Sequence, residues 1–195
     1  MSRIVVTNQV TLDGVMQAPG HPDEDRSGGF DRGGWAPPYA DAVLGREMGK
    51  GIERGGALLF GRRTYEHFAS VWPNQPDDNP YKRVLHERRK YVASTTLEEP
   101  LPWENSTLLR GDATQAVAEL REEEGKDIVI LGSGTLIRSL MAEDLIDAFV
   151  LTIHPLVLAS GQRLFTDGGP PATLRLVDVT PTTTGVLIAT YEPAR

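Results

Sequence analysis

The sequence predicts an α/β domain: a mostly parallel sheet flanked by helices, with an antiparallel edge at its C-terminal end. Three observations carry this expectation. The apolar runs Ile4-Val5-Val6, Ala57-Leu58-Leu59-Phe60 and Ile128-Val129-Ile130-Leu131 are continuous rather than alternating, as in strands buried on both faces. Segments with helical spacing separate such runs through Met141. Beyond that point the chain holds only strand-like runs, and the last two read as a hairpin.

Arg3 to Val10 is a β-branched first strand, suited to a central place in the sheet. Thr11-Leu12-Asp13-Gly14 follows it, and from there to Trp35 the composition turns to Gly, Pro and Asp. A connection this long without structure of its own is uncommon in a compact domain. Gly14 to Gly34 is therefore expected to be a mobile lid over a site. Its acidic knot of His21, Asp23, Glu24 and Asp25 is expected to be solvated. Tyr39 to Arg54 reads as a helix, with Val43, Leu44, Met48 and Ile52 as its apolar face and Gly55-Gly56 as its stop.

Ala57 to Phe60 is the second strand, and Gly61-Arg62-Arg63-Thr64 opens a helix reaching about Val71. The basic stretch from Leu85 to Arg89 suits a short helix or a turn. Lys90 to Thr96 is a third strand ending in hydroxyl residues, and Ser106 to Leu109 a fourth. Asp112, with Gln115 at capping-box spacing, starts a helix whose inner stripe is Ala116, Val117 and Leu120. Asp127 to Leu131 is the next strand; Gly132-Ser133-Gly134-Thr135 then turns into a helix carrying Leu136, Ile137, Leu140 and Met141. Ala148 to His154 is a further strand, and His154, placed before Pro155, is expected to be structural. Leu174 to Val179 and Gly185 to Tyr191 form the closing hairpin.

Composition removes several functions. The chain of 195 residues holds no cysteine, which excludes disulfides, thiolate metal sites and cysteine nucleophiles. Its four histidines show no metal-ligand spacing, so no metal is expected. A formal charge of −7 argues against a nucleic-acid surface. No apolar run approaches membrane-spanning length, and Met1-Ser2-Arg3 leads straight into a strand. A single cytoplasmic domain, 1–195, is the expectation, with no membrane partner.

Three strand ends carry phosphate-compatible groups: Gly61-Arg62-Arg63-Thr64, Ser94-Thr95 and Gly132-Ser133-Gly134-Thr135. In an open α/β sheet, ligands bind outside the carboxyl ends of strands. A glycine turn into a helix presents backbone N–H groups to an anion, although the same glycines also serve a plain turn. Two arginines at a helix N-terminus oppose the helix dipole and call for an anion, or pair on the surface. Ser94 and Thr95 suit ribose or phosphate contacts, and equally ordinary turn chemistry. An arginine pair beside hydroxyls suits a ribose 2′-phosphate, favouring NADP(H) over NAD(H).

These residues also carry a resemblance. Leu59-Phe60-Gly61-Arg62-Arg63-Thr64-Tyr65-Glu66 resembles the strand–helix cofactor motif of dihydrofolate reductases, and Ile130-Leu131-Gly132-Ser133-Gly134-Thr135-Leu136 that fold's second glycine motif. Thr11-Leu12-Asp13-Gly14, and Pro155-Leu156-Val157-Leu158 with Gly161 and Leu164-Phe165, are similar to the bacterial riboflavin-biosynthesis reductase domain. The resemblance spans nearly the whole chain. It implies the dihydrofolate-reductase-like fold, NADPH, hydride transfer to a small heterocyclic substrate, and a homodimer. It implies cofactor binding by Gly61, Arg62, Arg63, Thr64, Ser94, Thr95, Gly132, Ser133, Gly134, Thr135 and Leu136, and substrate binding by Thr7, Asp13, Gly14, Trp35 and Tyr39.

Asp13 is the expected proton donor or relay, beside its alternative as a turn-forming Asp-Gly. Trp35 and Tyr39 either wall the pocket or belong to the core. Two departures stand out. Asn79-Pro80-Tyr81 is only a remnant of the Asp-Asn/Asp-Pro-x-Leu-Thr segment of riboflavin reductases. For the buried helical carboxylate of dihydrofolate reductases, the nearest counterpart is Asp41. The readings are a 5-amino-6-(5-phosphoribosylamino)uracil-type reductase, a pterin or folate reductase, and a dimeric nucleotide-binding protein without turnover.

Overall fold

The computed structural model describes residues 1–122 and 125–194, without the side chains of Ile52, Glu53 and Pro80. Ile52, placed above on a helix's apolar face, lies outside the described side chains. Among the described residues eight strands occur: β1 (Ile4–Thr11), β2 (Gly55–Gly61), β3 (Lys90–Ala93), β4 (Ser106–Leu109), β5 (Asp127–Leu131), β6 (Ala148–His154), β7 (Leu174–Pro181) and β8 (Leu187–Pro193). The helices are α1 (Ala42–Arg54), α2 (Arg62–Val71), α3 (Pro80–Glu87), α4 (Ala113–Glu122) and α5 (Gly134–Ala142). The sheet is mostly parallel with antiparallel edge strands, in the order β4-β3-β2-β5-β1-β6-β8-β7.

Two compact units share the chain, Met1–Val5 with Gly51–Asp147, and Val6–Lys50 with Ala148–Arg195. In the first unit β2 pairs in parallel with β3 and β5, and β3 with β4. Leu58, Phe60, Tyr65, Leu85, Val92 and Trp103 form a core cluster there. Lys90 lies inside this unit with no solvent exposure. Its ammonium donates to the carbonyls of His86, Arg88 and Glu104 at 2.8, 2.8 and 3.0 Å, and stands 4.4 Å from the Trp103 ring centre. Burial lowers its pKa to about 8, against the opposing pull of the Glu104 charge. Three donors meet three carbonyls around the end of α3, satisfying groups that a helix C-terminus leaves open.

Several expectations meet local differences. α1 starts at Ala42 because Asp41 caps it: the Leu44 N–H donates to Asp41 Oδ1 at 2.7 Å. Leu44 is buried, whereas Met48 is 39% exposed and does not join the inner face. The basic stretch proves to be the end of α3, whose N-terminus is capped by the Asn79 side chain accepting from Tyr81 N–H at 3.0 Å. Asp112 caps α4 as expected, accepting from the backbones of Thr114 and Gln115. The Gln115 amide reaches Glu119 instead of closing the box.

In the second unit β6 pairs antiparallel with β8, and β8 with β7. The segment after β1 is not the structureless lid expected from its composition. Val15, Ala18, Phe30, Trp35, Ala36 and Leu158 form a small core of their own. Gln17, only 4% exposed, sits at its centre. Its amide nitrogen donates to the carbonyls of Asp25 and Ser27, its amide oxygen accepts from Gln162 N–H at 2.9 Å, and its carbonyl accepts from the Trp35 indole N–H at 2.9 Å. Gly161, at φ +107°, passes so close that a Cβ would stand 2.7 Å from the Phe30 ring. Polar groups buried by a long loop need partners, and Gln17 supplies them.

Candidate functional site

In the first unit the two glycine turns are stitched to each other. The Gly61 N–H donates to Ser133 Oγ at 2.9 Å, and the Ser133 N–H donates to Thr64 Oγ1 at 3.1 Å. Ser133 Oγ in turn donates to the Leu131 carbonyl at 3.1 Å. These bonds hold Ser133 at φ +59°, a left-handed conformation that a residue with a Cβ adopts at a cost. Gly132 has φ +58°, and a Cβ there would come within 2.9 Å of Thr64 Cγ2. The turns approach closely enough that only glycine fits.

The stitching sorts the expected cofactor residues. The Ser133 hydroxyl and the N–H groups of Gly61 and Ser133 are committed to the protein. The first intrahelical bond of α5 runs from Ile137 N–H to Ser133 O, so the N–H groups of Gly134, Thr135 and Leu136 are the first-turn donors that the helix itself does not use. Leu136 is 7% exposed, with its side chain in the core, and contributes through its backbone. Ser94 accepts from the N–H groups of Thr96 and Leu97 at 3.2 and 3.0 Å, which is turn chemistry, while Thr95 is exposed. At α2, Gly61 is the N-cap with no side-chain cap and no acid in the first turn. Arg62 and Arg63 are exposed there, and Arg62 makes only a 3.5 Å pair with Glu66 on the next turn. Tyr65, fully buried behind this turn, accepts from Trp103 N–H and donates to Ser106 Oγ.

In the second unit Asp13 is the centre of a clamp. Oδ1 accepts from the Thr11 hydroxyl at 2.6 Å and from Leu158 N–H at 3.2 Å; Oδ2 accepts from Ala159 N–H at 2.8 Å. Arg163 donates to the Asp13 carbonyl at 2.9 Å and brings a guanidinium nitrogen to 3.7 Å from Oδ2. Burial would raise the carboxyl pKa, but the hydrogen bonds from Thr11, Ala159 and Leu158 outweigh it and lower the value to about 2. These bonds favour the ionised carboxylate at neutral pH, and they tie Asp13 to the 158–159 turn, where Ala159 adopts φ +61°.

Trp35 and Tyr39 meet around His154, with ring centroids at 5.1 and 5.5 Å in edge-on geometry. Trp35 is core, at 6% exposure, whereas Tyr39 and Thr7 are half-buried and retain accessible surface. His154 is fully buried, and its Nε2 lies 3.1 Å from Gln9 Oε1. Burial lowers its pKa to about 4, so the ring is neutral. Asp41 is not a buried catalytic carboxylate. Beyond capping α1, its Oδ2 accepts from the N–H and hydroxyl of Thr183, and these bonds, with that from Leu44, lower its pKa.

Sequence reasoning missed Gln17, Gln9, Lys90 and Trp103. A lone glutamine in a Gly/Pro-rich loop and a lysine at a strand start carry no periodic signal of burial. Among the described residues, no group of three or more His, Asp or Glu side chains is arranged to hold a metal ion, and no helix is long and apolar enough to cross a membrane.

Comparisons with known proteins agree with this architecture. The Bacillus subtilis protein YyaP is 28% identical over 196 residues, covering 97% of this chain and 94% of its own. YwjB of the same organism is 33% identical over 119 residues, covering 61% and 63%. Among solved structures, a candidate riboflavin biosynthesis protein from Shewanella sp. PV-4 superposes with a TM-score of 0.69 at 24% identity, over the whole of both chains. A pyrimidine reductase-like protein from Corynebacterium diphtheriae gives 0.66 at 13% identity, covering 100% of this chain and 92% of its own. Dihydrofolate reductase from Enterococcus faecalis, in complex with NADP(H) and a second ligand, gives 0.60 at 15% identity, covering 99% and 97%. The fold is thus dihydrofolate-reductase-like. The RibD C-terminal domain model matches residues 2–188, and the chain belongs to that family of reductases.

Proposed function

We propose that the protein is an NADPH-dependent reductase of a small heterocyclic substrate, of the 5-amino-6-(5-phosphoribosylamino)uracil reductase type. The observation that carries the cofactor reading is the N-terminus of α2: two exposed arginines, no capping side chain and no acid in the first turn. Cations there add to the positive helix end, an arrangement that costs stability until an anion joins it. Arg62 and Arg63 would hold the 2′-phosphate through planar guanidinium forks. The first-turn N–H groups of Gly134, Thr135 and Leu136 would hold the pyrophosphate. NADP(H) bound in the Enterococcus faecalis reductase of the same fold supports the assignment.

When bound, the dinucleotide supplies the hydride; the chain's own residues bind, orient and exclude water. Ser133 and Thr64 lock the two turns in one geometry, so a phosphate meets donors that need no rearrangement. On the substrate side, Thr7, Gly14 and Tyr39 would contact the heterocycle, and Asp13 would fix the adjoining turn through its three acceptor bonds. Because Asp41 is a cap, the pterin or folate reading lacks its helical carboxylate and is the weaker of the two enzyme readings.

Calorimetry with the two cofactors tests the proposal. NADPH should bind at least tenfold more tightly than NADH, a difference of about 1.4 kcal/mol that two charge-assisted phosphate contacts readily supply. The Arg62→Ala/Arg63→Ala double variant should lose most of that preference while NADH binding stays nearly constant. Equal affinities in the unmodified protein would overturn the assignment. NADPH oxidation with aminouracil, pterin and simple carbonyl compounds then separates a reductase from a binder without turnover.

A further inference from the structure

In the second unit one hydrogen bond leaves half of its amide unused. Gln9 lies on β1 between buried Asn8 and Val10 and is itself half-buried. His154 ends β6 with no solvent exposure, and its Nε2 stands 3.1 Å from Gln9 Oε1. The ring's other nitrogen, Nδ1, is buried and has no hydrogen-bond partner among the described residues. A neutral imidazole carries one N–H, and buried donors are rarely left unpaired. The network therefore assigns the proton to Nε2, which gives it to Gln9 Oε1; on Nδ1 it would meet no acceptor.

That bond orients the amide. The oxygen is held by the ring, while the nitrogen, with two donors, meets no acceptor among the described residues. Gln17 behaves differently, committing both ends of its amide to the loop it supports. The imidazole cannot easily swing away, because the rings of Trp35 and Tyr39 stand edge-on to it at 5.1 and 5.5 Å. Thr7, two residues before Gln9, shares its face of β1 and is also half-buried. The hydroxyls of Thr7 and Tyr39, like the Gln9 nitrogen, have no partner among the described residues. Open polar groups thus collect around the one buried ring.

We propose that Gln9 is a specificity-determining residue of the substrate site, its amide N–H groups donating to a ring carbonyl of the heterocycle, with His154 the positioning residue that keeps this donor end free. The inference rests on the aminouracil reading above and narrows it: the ring edge that meets Gln9 is an oxo edge, not an amino one. Turning the amide to offer its oxygen to an amino group would set N–H against the Nε2–H of His154 and leave that buried donor unpaired. A site built to hydrogen-bond one group rejects an analogue that cannot answer it far more strongly than an apolar wall does. An amide that served only the sheet would have both ends paired, as in Gln17.

Calorimetry with NADP+ present and three ligands tests this: 5-amino-6-(5-phosphoribosylamino)uracil, and the two analogues in which an amino group replaces one or the other ring carbonyl. The uracil should bind about tenfold or more tightly than one of the analogues, the one altered at the carbonyl that Gln9 meets. Gln9→Glu keeps the size and the acceptor for His154 but has no donor, so there the same analogue should bind better than the uracil. His154→Phe frees the amide to turn, and the discrimination should narrow to about threefold or less. A histidine that merely supported the fold would weaken all three ligands alike and leave their ratio unchanged. Circular dichroism checks that each variant folds. If none of the three ligands binds, the aminouracil reading falls and this inference falls with it. If the uracil binds without preference over either analogue, or its preference survives Gln9→Glu, the Gln9 assignment alone is overturned. A ratio unmoved in His154→Phe would remove the positioning role.

Discussion

Asp13 gathers a hydroxyl, two backbone N–H groups and a nearby guanidinium around one carboxylate. An amide at this position keeps one acceptor oxygen and turns a donor toward one of the donors it replaced. Losing a charge-assisted hydrogen bond at this partly buried carboxylate costs about 1–3 kcal/mol. Asp13→Asn should therefore lower the unfolding free energy by about that amount, while leaving NADPH affinity within a factor of a few. Denaturant titration measures the first and calorimetry the second; unchanged stability would show that the carboxylate is no clamp. At this scale the sequence revealed residue type and neighbourhood but not commitment. Ser133, Thr64 and Ser94 carry hydroxyls suited to a phosphate, yet the first two join the protein's own turns and the third caps a loop. For Ser133 and Thr64 that choice depends on partners 69 to 72 positions away, which no local spacing encodes.

Among the elements, strands and helices with long apolar runs were legible because burial on one or both faces leaves a period in the sequence. β2 with α2, β5 with α5, and the closing hairpin fall where the apolar pattern puts them. The segment after β1 was not legible, because a core built from six scattered residues around one glutamine has no period. Hydrogen exchange separates a packed loop from a lid. The N–H groups of Met16, Gly34 and Ala36 donate to Gln162, Ala18 and Pro19 at 2.9, 2.8 and 3.0 Å. They should be protected in the ligand-free protein, more than the mostly exposed residues 20–29. Gln17→Ala removes the side-chain bonds to Asp25, Ser27 and Gln162, and should speed exchange at all three positions while the β6 and β8 amides keep their protection. Rapid exchange at Gly34 and Ala36 in the unmodified protein would restore the lid.

For the whole molecule, acid stability isolates one buried side chain. His154 has no solvent exposure, and its pKa falls from 6.5 to about 4 because the charged ring loses its hydration. In the unfolded chain the same ring takes up a proton as pH drops through 6.5. Between about pH 6.5 and 4 the unfolded state therefore binds more protons than the native state, and stability must fall as the pH is lowered. The lowered carboxylates act in a different window. Asp13 shifts from 3.8 to about 2, and Asp41, Asp77 and Asp112 also move down from 3.8, so their contributions are lost at lower pH than most of the histidine's. The unfolding free energy should decline by roughly 1–3 kcal/mol from pH 6.5 to 4.5, measured from denaturant midpoints. His154→Phe keeps a ring against Trp35 and Tyr39 and removes the titration. That variant should start less stable, because Gln9 loses its partner, yet its stability should vary far less over the same interval. A slope equal to the wild type's in His154→Phe would move the acid sensitivity to another group and leave the buried ring without a part in it.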